Sequence, residues 1–172
     1  PDGYASCVKI QSDGKIVIGG TDSNDTFTAV RYNIDGTLDN SFGINGIVKT
    51  YLSIEGSRMH ASALFPGNKI IQAGITLLYT DNQKTALVRY VSTGGRDYTF
   101  GNDGVVLHDV SSGSEYISKV IVQPDEKILV SGYTLTNGFV FRCYSNGEID
   151  STFGINGLIF PNPFFFITSM VL

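Results

Sequence analysis

The chain has 172 residues, of which 16% are charged and 42% are hydrophobic, and its formal net charge is −4. Lysine and arginine are spaced along the chain and form no basic patch, so we expect no nucleic-acid partner. No window approaches the run of about eighteen apolar residues that a transmembrane helix requires, so we expect no membrane span.

The first predicted element is a β-hairpin, which occurs three times. Apolar, β-branched runs bounded by Gly, Pro, Asn and Asp are typical of strands joined by tight turns. We predict first strands at 5–11, 59–65 and 117–123, and second strands at 15–20, 69–74 and 127–132. A glycine lies five residues after the lysine that opens each second strand, and there we expect close approach of another backbone. We interpret these lysines as solvated turn charges: Lys15, Lys69 and Lys127.

Two further strands complete each repeat. The third strands are apolar on both faces apart from one arginine, which indicates strands covered on both sides. We predict third strands at 27–32, 86–90 and 139–144, and fourth strands at 46–50, 104–107 and 157–160. No segment shows sustained helical periodicity. Four short strands per repeat are the make-up of a propeller blade.

One block of sixteen residues occurs three times, at 31–46, 89–104 and 142–157. In each copy, Gly lies 5 residues after the opening Arg, Asp lies 8 after it, Phe lies 11 after it, and Gly lies again 12 and 15 after it. An internal repeat of this length indicates a solenoid, a propeller or an array.

The repeat resembles a known family. DGKI at 13–16 and AVRYNIDGTLDNSFGINGIV at 29–48 are similar to the delta-60 repeat of large bacterial proteins, which is associated with a β-propeller fold. The resemblance covers essentially the whole chain, and the second copy departs from it most. It implies a bacterial protein that is secreted or exposed at the cell surface, and it supplies no known catalytic residues.

We therefore expect an all-β fold, a β-propeller fragment of about three four-stranded antiparallel blades plus the first strand of a fourth. The expected repeats in this single partial propeller, residues 1–172, are 4–57, 58–115 and 116–165, with 166–172 opening the further blade. Propellers have at least four blades, so three cannot close a ring alone. The uncovered blade faces predict self-association, with two copies closing a six-bladed ring, or completion by missing blades of a longer chain.

Residues present in every copy are interpreted as a structural frame. The Arg–Asp spacing predicts an Arg–carboxylate fork that ties the third strand to the following loop. The phenylalanine is expected to anchor the core between blades. An anion-binding row of arginines and an aromatic platform for sugar are the competing interpretations. The signature residues are Arg31, Asp39, Phe42, Arg89, Asp97, Phe100, Arg142, Asp150 and Phe153.

We predict no catalytic residues, no metal site and no cofactor. A calcium loop at 33–39 is disfavoured because its carboxylates do not recur in the other copies. His60 and His108 occupy non-equivalent positions, and no nucleophile motif accompanies them. Cys143 is interpreted as a small core residue, and the sequence leaves a disulfide with Cys7 open.

The predicted function is a non-catalytic repeat scaffold or interaction module whose ligand, a protein or a glycan, the sequence does not identify. A carbohydrate-binding propeller is the alternative, and an enzyme with its site in missing blades is the third. The loop that varies most between copies spans 75–84, where loop contacts are expected from Tyr79, Asp81, Asn82 and Gln83.

Overall fold

The computed structural model describes residues 3–77, 83–111, 113–161, 167 and 170, and it contains three four-stranded antiparallel sheets. The predicted all-β propeller fold is confirmed. We call the sheets blades 1, 2 and 3. Blade 1 contains β1 (Gly3–Ile10), β2 (Ile16–Asp22), β3 (Phe27–Tyr32) and β4 (Ile47–Thr50). Blade 2 contains β5 (Ser57–Phe65), β6 (Lys69–Thr76), β7 (Lys84–Tyr90) and β8 (Val105–His108). Blade 3 contains β9 (Glu115–Val122), β10 (Ile128–Thr134), β11 (Gly138–Cys143) and β12 (Leu158–Ile159).

The strands within each blade follow one another in chain order. Alternating apolar residues and tight turns produce this meander, because each short strand pairs with the one just before it. The described residues contain no helix long and apolar enough to cross a membrane. The strand predicted within 166–172 falls outside the described residues except at Ile167 and Met170, which are in no strand.

Neighbouring blades converge at their first strands. Contacts between blades are densest between β1 and β5 and between β5 and β9, and they decrease toward the outer strands. Each first strand carries a bulge, and its extra residue is Ser6, His60 or Ser118. A Cβ at Gly20, Gly74 or Gly132 would clash with a carbonyl oxygen of the first strand. The close backbone approach predicted at these three glycines is confirmed.

The hydrophobic core lies between blades, in two clusters. The first cluster joins blades 1 and 2 through Phe27, Phe42, Met59, Val88 and Tyr90, among others. The second joins blades 2 and 3 and includes Leu87, Phe100, Ile117, Phe139 and Phe141. Blade 2 therefore buries both of its faces, and blades 1 and 3 each bury the face that is turned toward blade 2.

The outer face of blade 1 has no neighbouring blade among the described residues. Val8 on this face is 59% exposed, whereas Val120, at the same repeat position in blade 3, is 1% exposed. Val120 is buried because it packs into the cluster shared with blade 2. The apolar outer face of blade 1 is thus the counterpart of a face that blade 3 buries.

Candidate functional site

The repeated arginine and aspartate form an ion pair in each blade. The β3, β7 or β11 strand supplies the arginine, and a turn folds the chain back so that the aspartate amide donates to the arginine carbonyl. In blade 1 this amide bond, from Asp39 N to Arg31 O, is 2.9 Å long. The arginine Nε to aspartate Oδ2 distances are 2.7 Å for Arg31–Asp39, 2.8 Å for Arg89–Asp97 and 2.8 Å for Arg142–Asp150.

The lysine of each second strand contacts the same carboxylate oxygen. The Nζ to Oδ2 distances are 2.7 Å for Lys15–Asp39, 2.8 Å for Lys69–Asp97 and 3.1 Å for Lys127–Asp150. The interpretation of these lysines as solvated turn charges was wrong. Val17 pairs with Arg31, and Lys15 lies two residues before Val17, so both cations reach the same face of the sheet.

The second oxygen of each aspartate is used within its own loop. Oδ1 of Asp39 accepts hydrogen bonds from the Ser41 amide at 3.1 Å and the Ser41 hydroxyl at 2.6 Å. Thr99 and Thr152 make the same pair of bonds in the other blades. Hydrogen bonds from Lys15 and Ser41 hold the pKa of Asp39 well below its usual range. Asp39 and Asp97 each bind one arginine nitrogen and one lysine, whereas Oδ2 of Asp150 lies 2.8 Å from both Nε and Nη2 of Arg142.

The arginine also joins one blade to the next. Arg31 Nη1 donates to the carbonyl of Ser92 in blade 2, and Arg89 Nη1 donates to the carbonyl of Ser145 in blade 3, both at 2.5 Å. Because Arg31 is 5% exposed and Arg89 is 3% exposed, their guanidinium groups are used inside the protein. This geometry disfavours an anion-binding row at these two arginines.

The repeated phenylalanine lies under the guanidinium and against the next blade. The guanidinium carbon is 4.5 Å from the ring centre of Phe42 and 4.6 Å from that of Phe100. Both rings are fully buried, which leaves no aromatic platform for a sugar at these two positions. A Cβ at Gly94 would lie 3.1 Å from the Phe42 ring, and one at Gly147 would lie 2.9 Å from the Phe100 ring.

Backbone hydrogen bonds complete this contact. The amide of Gly43 donates to Thr93 of blade 2 at 2.8 Å, and the amide of Gly101 donates to Asn146 of blade 3 at 2.9 Å. We use the term blade junction for the Arg, Asp, Phe and following Gly of one blade together with the turn after the third strand of the next blade. The described residues contain two such junctions, between blades 1 and 2 and between blades 2 and 3.

The two histidines lie in different surroundings. His60 Nδ1 accepts a hydrogen bond from the Ile117 amide at 3.2 Å, and burial together with the nearby Arg58 charge lowers its pKa to about 4. His108 Nε2 lies 3.4 Å from Cys143 Sγ and 3.1 Å from the Gly147 carbonyl oxygen. A histidine beside a cysteine resembles a nucleophile with its base.

Burial disfavours the reactive thiolate form of this cysteine. Cys143 is fully buried in the core cluster between blades 2 and 3, and burial raises the pKa of its thiol to about 12. The reactive form of cysteine is the thiolate, so an activated thiol would need a lowered pKa. Cys7 and Cys143 are both free thiols. No group of three His, Cys, Asp or Glu side chains among the described residues could hold a metal ion.

Glu115 carries a buried carboxylate that the sequence-based predictions did not include. Glu115 is fully buried between blades 2 and 3, and its Oε2 accepts a hydrogen bond from the Thr85 hydroxyl at 2.6 Å. Its Oε1 accepts from the amides of Val110 and Ser111 at 2.9 and 2.8 Å. Burial raises its pKa although these bonds oppose the rise. The repeat pattern did not indicate this carboxylate, because the equivalent residues in the other blades, Gly3 and Ser57, are uncharged.

The loop predicted to make contacts, residues 75–84, is described only at its two ends, 75–77 and 83–84. Tyr79, Asp81 and Asn82 lie outside the described residues, so their role stays a prediction. Gln83 Oε1 accepts a hydrogen bond from the Glu115 amide at 3.2 Å and so lies where blades 2 and 3 meet.

One exposed aromatic position recurs, but not in every blade: Tyr4 and Tyr116 are equivalent in blades 1 and 3, and blade 2 has Arg58 there. Tyr51, Tyr98 and Tyr144 are exposed, and they occupy three different repeat positions. A carbohydrate site repeated in each blade would place its aromatic side chains at equivalent positions.

Two segments of the chain match a family model described as a domain of unknown function (DUF5122) beta-propeller, at residues 11–42 and 123–153. Each segment contains the second strand, the third strand and the residues from Arg to Phe, in blades 1 and 3. No curated protein matched the chain. The chain thus has a β-propeller fold of three blades, and segments in two of these blades are similar to a β-propeller repeat family that is associated with delta-60 repeats.

Proposed function

We propose that the chain is a non-catalytic repeat scaffold, a row of propeller blades that acts through the surfaces it presents. The observation that carries this proposal is the use of the repeated charged residues. Asp39 and Asp97 bind an arginine and a lysine of their own blade, and Arg31 and Arg89 bind the backbone of the next blade. In blades 1 and 2 the residues present in every copy therefore join blades instead of facing a ligand.

The buried polar groups support the same proposal. The pKa of Cys143 is raised by burial, and His60 is neutral and accepts a backbone hydrogen bond. Glu115 accepts hydrogen bonds from one side chain and two backbone amides, which is the pattern of a carboxylate that ties loops together. None of these groups combines exposure with the pKa that a nucleophile or general base needs near neutral pH.

An activity screen tests the non-catalytic role. The folded chain is incubated with ester, phosphate and glycoside substrates that release a chromophore, beside the His108→Ala and Cys143→Ser variants. We expect no turnover above that of an exposed-residue control, Tyr98→Ala. Turnover that His108→Ala removes while circular dichroism shows an intact fold would overturn the proposal. A glycan array on the same sample tests the carbohydrate-binding alternative, which predicts specific binding.

A further inference from the structure

The outer face of blade 3 carries the groups that blades 1 and 2 use to bind their next neighbour. Arg142 occupies the position of Arg31 and Arg89 but makes no bond to a following blade among the described residues. Its side chain is 20% exposed, against 6% for Arg31 and 4% for Arg89. Phe153 is half-buried where Phe42 is fully buried. Blade 3 thus holds half of a blade junction.

Two buried polar atoms on blade 3 lack a partner that blade 1 has. Ser6 Oγ donates to the Met59 carbonyl at 3.0 Å, whereas Ser118 Oγ, at the same repeat position, is buried with no hydrogen-bond partner among the described residues. An unpaired buried polar group is unfavourable, so an acceptor beside Ser118 would stabilise a contact there.

The second unpaired atom belongs to the glutamine that precedes the turn between the first and second strands of blade 3. Gln11 Nε2 donates to the Asn68 carbonyl of blade 2 at 2.6 Å. Gln123 occupies the same repeat position in blade 3, and its Oε1 is buried without a partner among the described residues, whereas the Oε1 of Gln11 accepts a hydrogen bond from Arg31 of its own blade at 3.4 Å. Ser118 therefore lacks a backbone acceptor of the next blade, and Gln123 lacks the bond from an arginine that the next blade orients in blade 1.

The outer face of blade 1 carries the complementary half of a blade junction. Ile34 and Asp35 occupy the positions of Ser92 and Thr93, whose carbonyls accept the bonds from blade 1. Gly36 occupies the position of Gly94, but a Cβ there would have nothing within 4 Å. The space that Phe42 fills beside Gly94 is open beside Gly36.

We propose that the outer face of blade 3 binds the outer face of blade 1 of a second copy of this chain. Arg142 then donates to the Ile34 carbonyl, the Gly154 amide donates to the Asp35 carbonyl, and Phe153 packs against Gly36. The proposal rests on the scaffold function and identifies its partner. The two junctions inside the chain are the template, since both use these positions.

The stoichiometry follows from the two different faces. The contact joins unlike surfaces, so it either closes into a ring or continues as a chain of copies. Two copies bring six blades, which lies within the roughly four to eight blades of known propellers. We therefore expect a closed dimer with two identical contacts.

Sedimentation velocity tests the contact by measuring the oligomeric state of the full chain over about two decades of concentration, from about 1 to about 100 µM. We expect a dimer that dissociates on dilution or persists throughout, and a monomer at about 100 µM would overturn the inference. Two variants place a charge on the two end faces: Val8→Glu on the outer face of blade 1 and Val140→Glu on the outer face of blade 3. Val8 is exposed and Val140 is partly buried, and both lie outside the two core clusters. Leu107→Glu, at a 47% exposed leucine on the edge strand of blade 2, is the matched control.

Mixing the variants tests the pairing of unlike faces. In a dimer of Val8→Glu alone or of Val140→Glu alone, both contacts contain a glutamate, so we expect dimer affinity to fall about 100-fold. An equimolar mixture can form a dimer in which one contact is unaltered, so dimers should reappear. Dimers of either variant as stable as those of Leu107→Glu, or no recovery on mixing, would overturn the inference. Neither result would create turnover in the activity screen, so the scaffold proposal is tested separately.

Discussion

Arg31 of blade 1 donates a hydrogen bond to the backbone carbonyl of Ser92 in blade 2. Asp39 holds the other side of the same guanidinium at 2.7 Å, and the Phe42 ring lies beneath it. The carboxylate fixes the direction of the arginine, and the arginine fixes the position of the next blade. A repeated ion pair within one blade is therefore also the contact between two blades.

Replacing Arg89 by alanine should destabilise the protein by about 3–5 kcal/mol, because it leaves the buried Asp97 carboxylate without its arginine. It also removes the bond to Ser145 of blade 3. Urea denaturation followed by circular dichroism measures the loss. The control is Arg96→Ala, at an exposed arginine of the same blade, which should change stability by less than about 0.5 kcal/mol. Equal effects of the two changes would contradict the role of Arg89.

Replacing Gly94 by alanine should cost more than replacing Gly67. Both glycines have positive φ, 91° and 76°, so both variants carry the backbone penalty of about 1–2 kcal/mol. A Cβ at Gly94 would lie 2.7 Å from the Gly43 amide nitrogen, whereas one at Gly67 would have nothing within 4 Å. We expect an additional loss of about 1–3 kcal/mol for Gly94→Ala from overpacking. Thermal unfolding of the two variants gives the comparison, and equal melting temperatures would refute it.

Glu115→Gln should change how stability depends on pH. The pKa of Glu115 is raised in the folded protein, so between the unfolded and folded pKa values the folded state binds more protons. Its contribution to stability is therefore lost as pH rises from about 4.5 through the folded pKa. The glutamine variant lacks this loss, so its stability relative to wild type should increase with pH across that window.

Denaturation series from pH 4 to 8, roughly the range in which a raised carboxyl pKa falls, measure this difference. Glu148→Gln, at an exposed glutamate of the same blade, is the control and should follow the wild-type curve. A wild-type minus Glu115→Gln difference that does not vary with pH would show that the buried carboxyl does not titrate differently in the folded state.

The thiol of Cys143 should be unreactive in the folded protein. Burial in the core raises its pKa to about 12, and alkylation requires an accessible thiolate. In the Cys7→Ser variant Cys143 is the remaining cysteine, so labelling by iodoacetamide reports on this residue alone. The reaction is run at pH 8, which is about half a unit below an ordinary cysteine pKa. Labelling should begin only when urea unfolds the chain. Rapid labelling of the folded variant would show that the pair with His108 is open to solvent and reactive.

The sequence predicted the blades well, because a repeat shows the same strand three times. The Arg31 to Asp39 spacing was readable since both residues belong to one hairpin-like turn. Lys15 was misread because it lies 24 residues before Asp39, and only strand pairing brings them together. Glu115 went unnoticed because it has no counterpart in the other copies. The acceptors Ser92 and Ser145 act through their main chain, and a backbone carbonyl has no signature in the sequence.

The same use of main-chain acceptors has an evolutionary consequence. The carbonyl that receives the arginine bond belongs to a serine in both blade junctions. The carbonyl that receives the glycine bond belongs to Thr93 in one junction and to Asn146 in the other, so the identity of that side chain differs. A blade that binds the backbone of the next blade can precede any blade that has the same turn after its third strand. Gene duplication or deletion can then lengthen or shorten such an array one unit at a time, without a compensating change at the neighbouring unit.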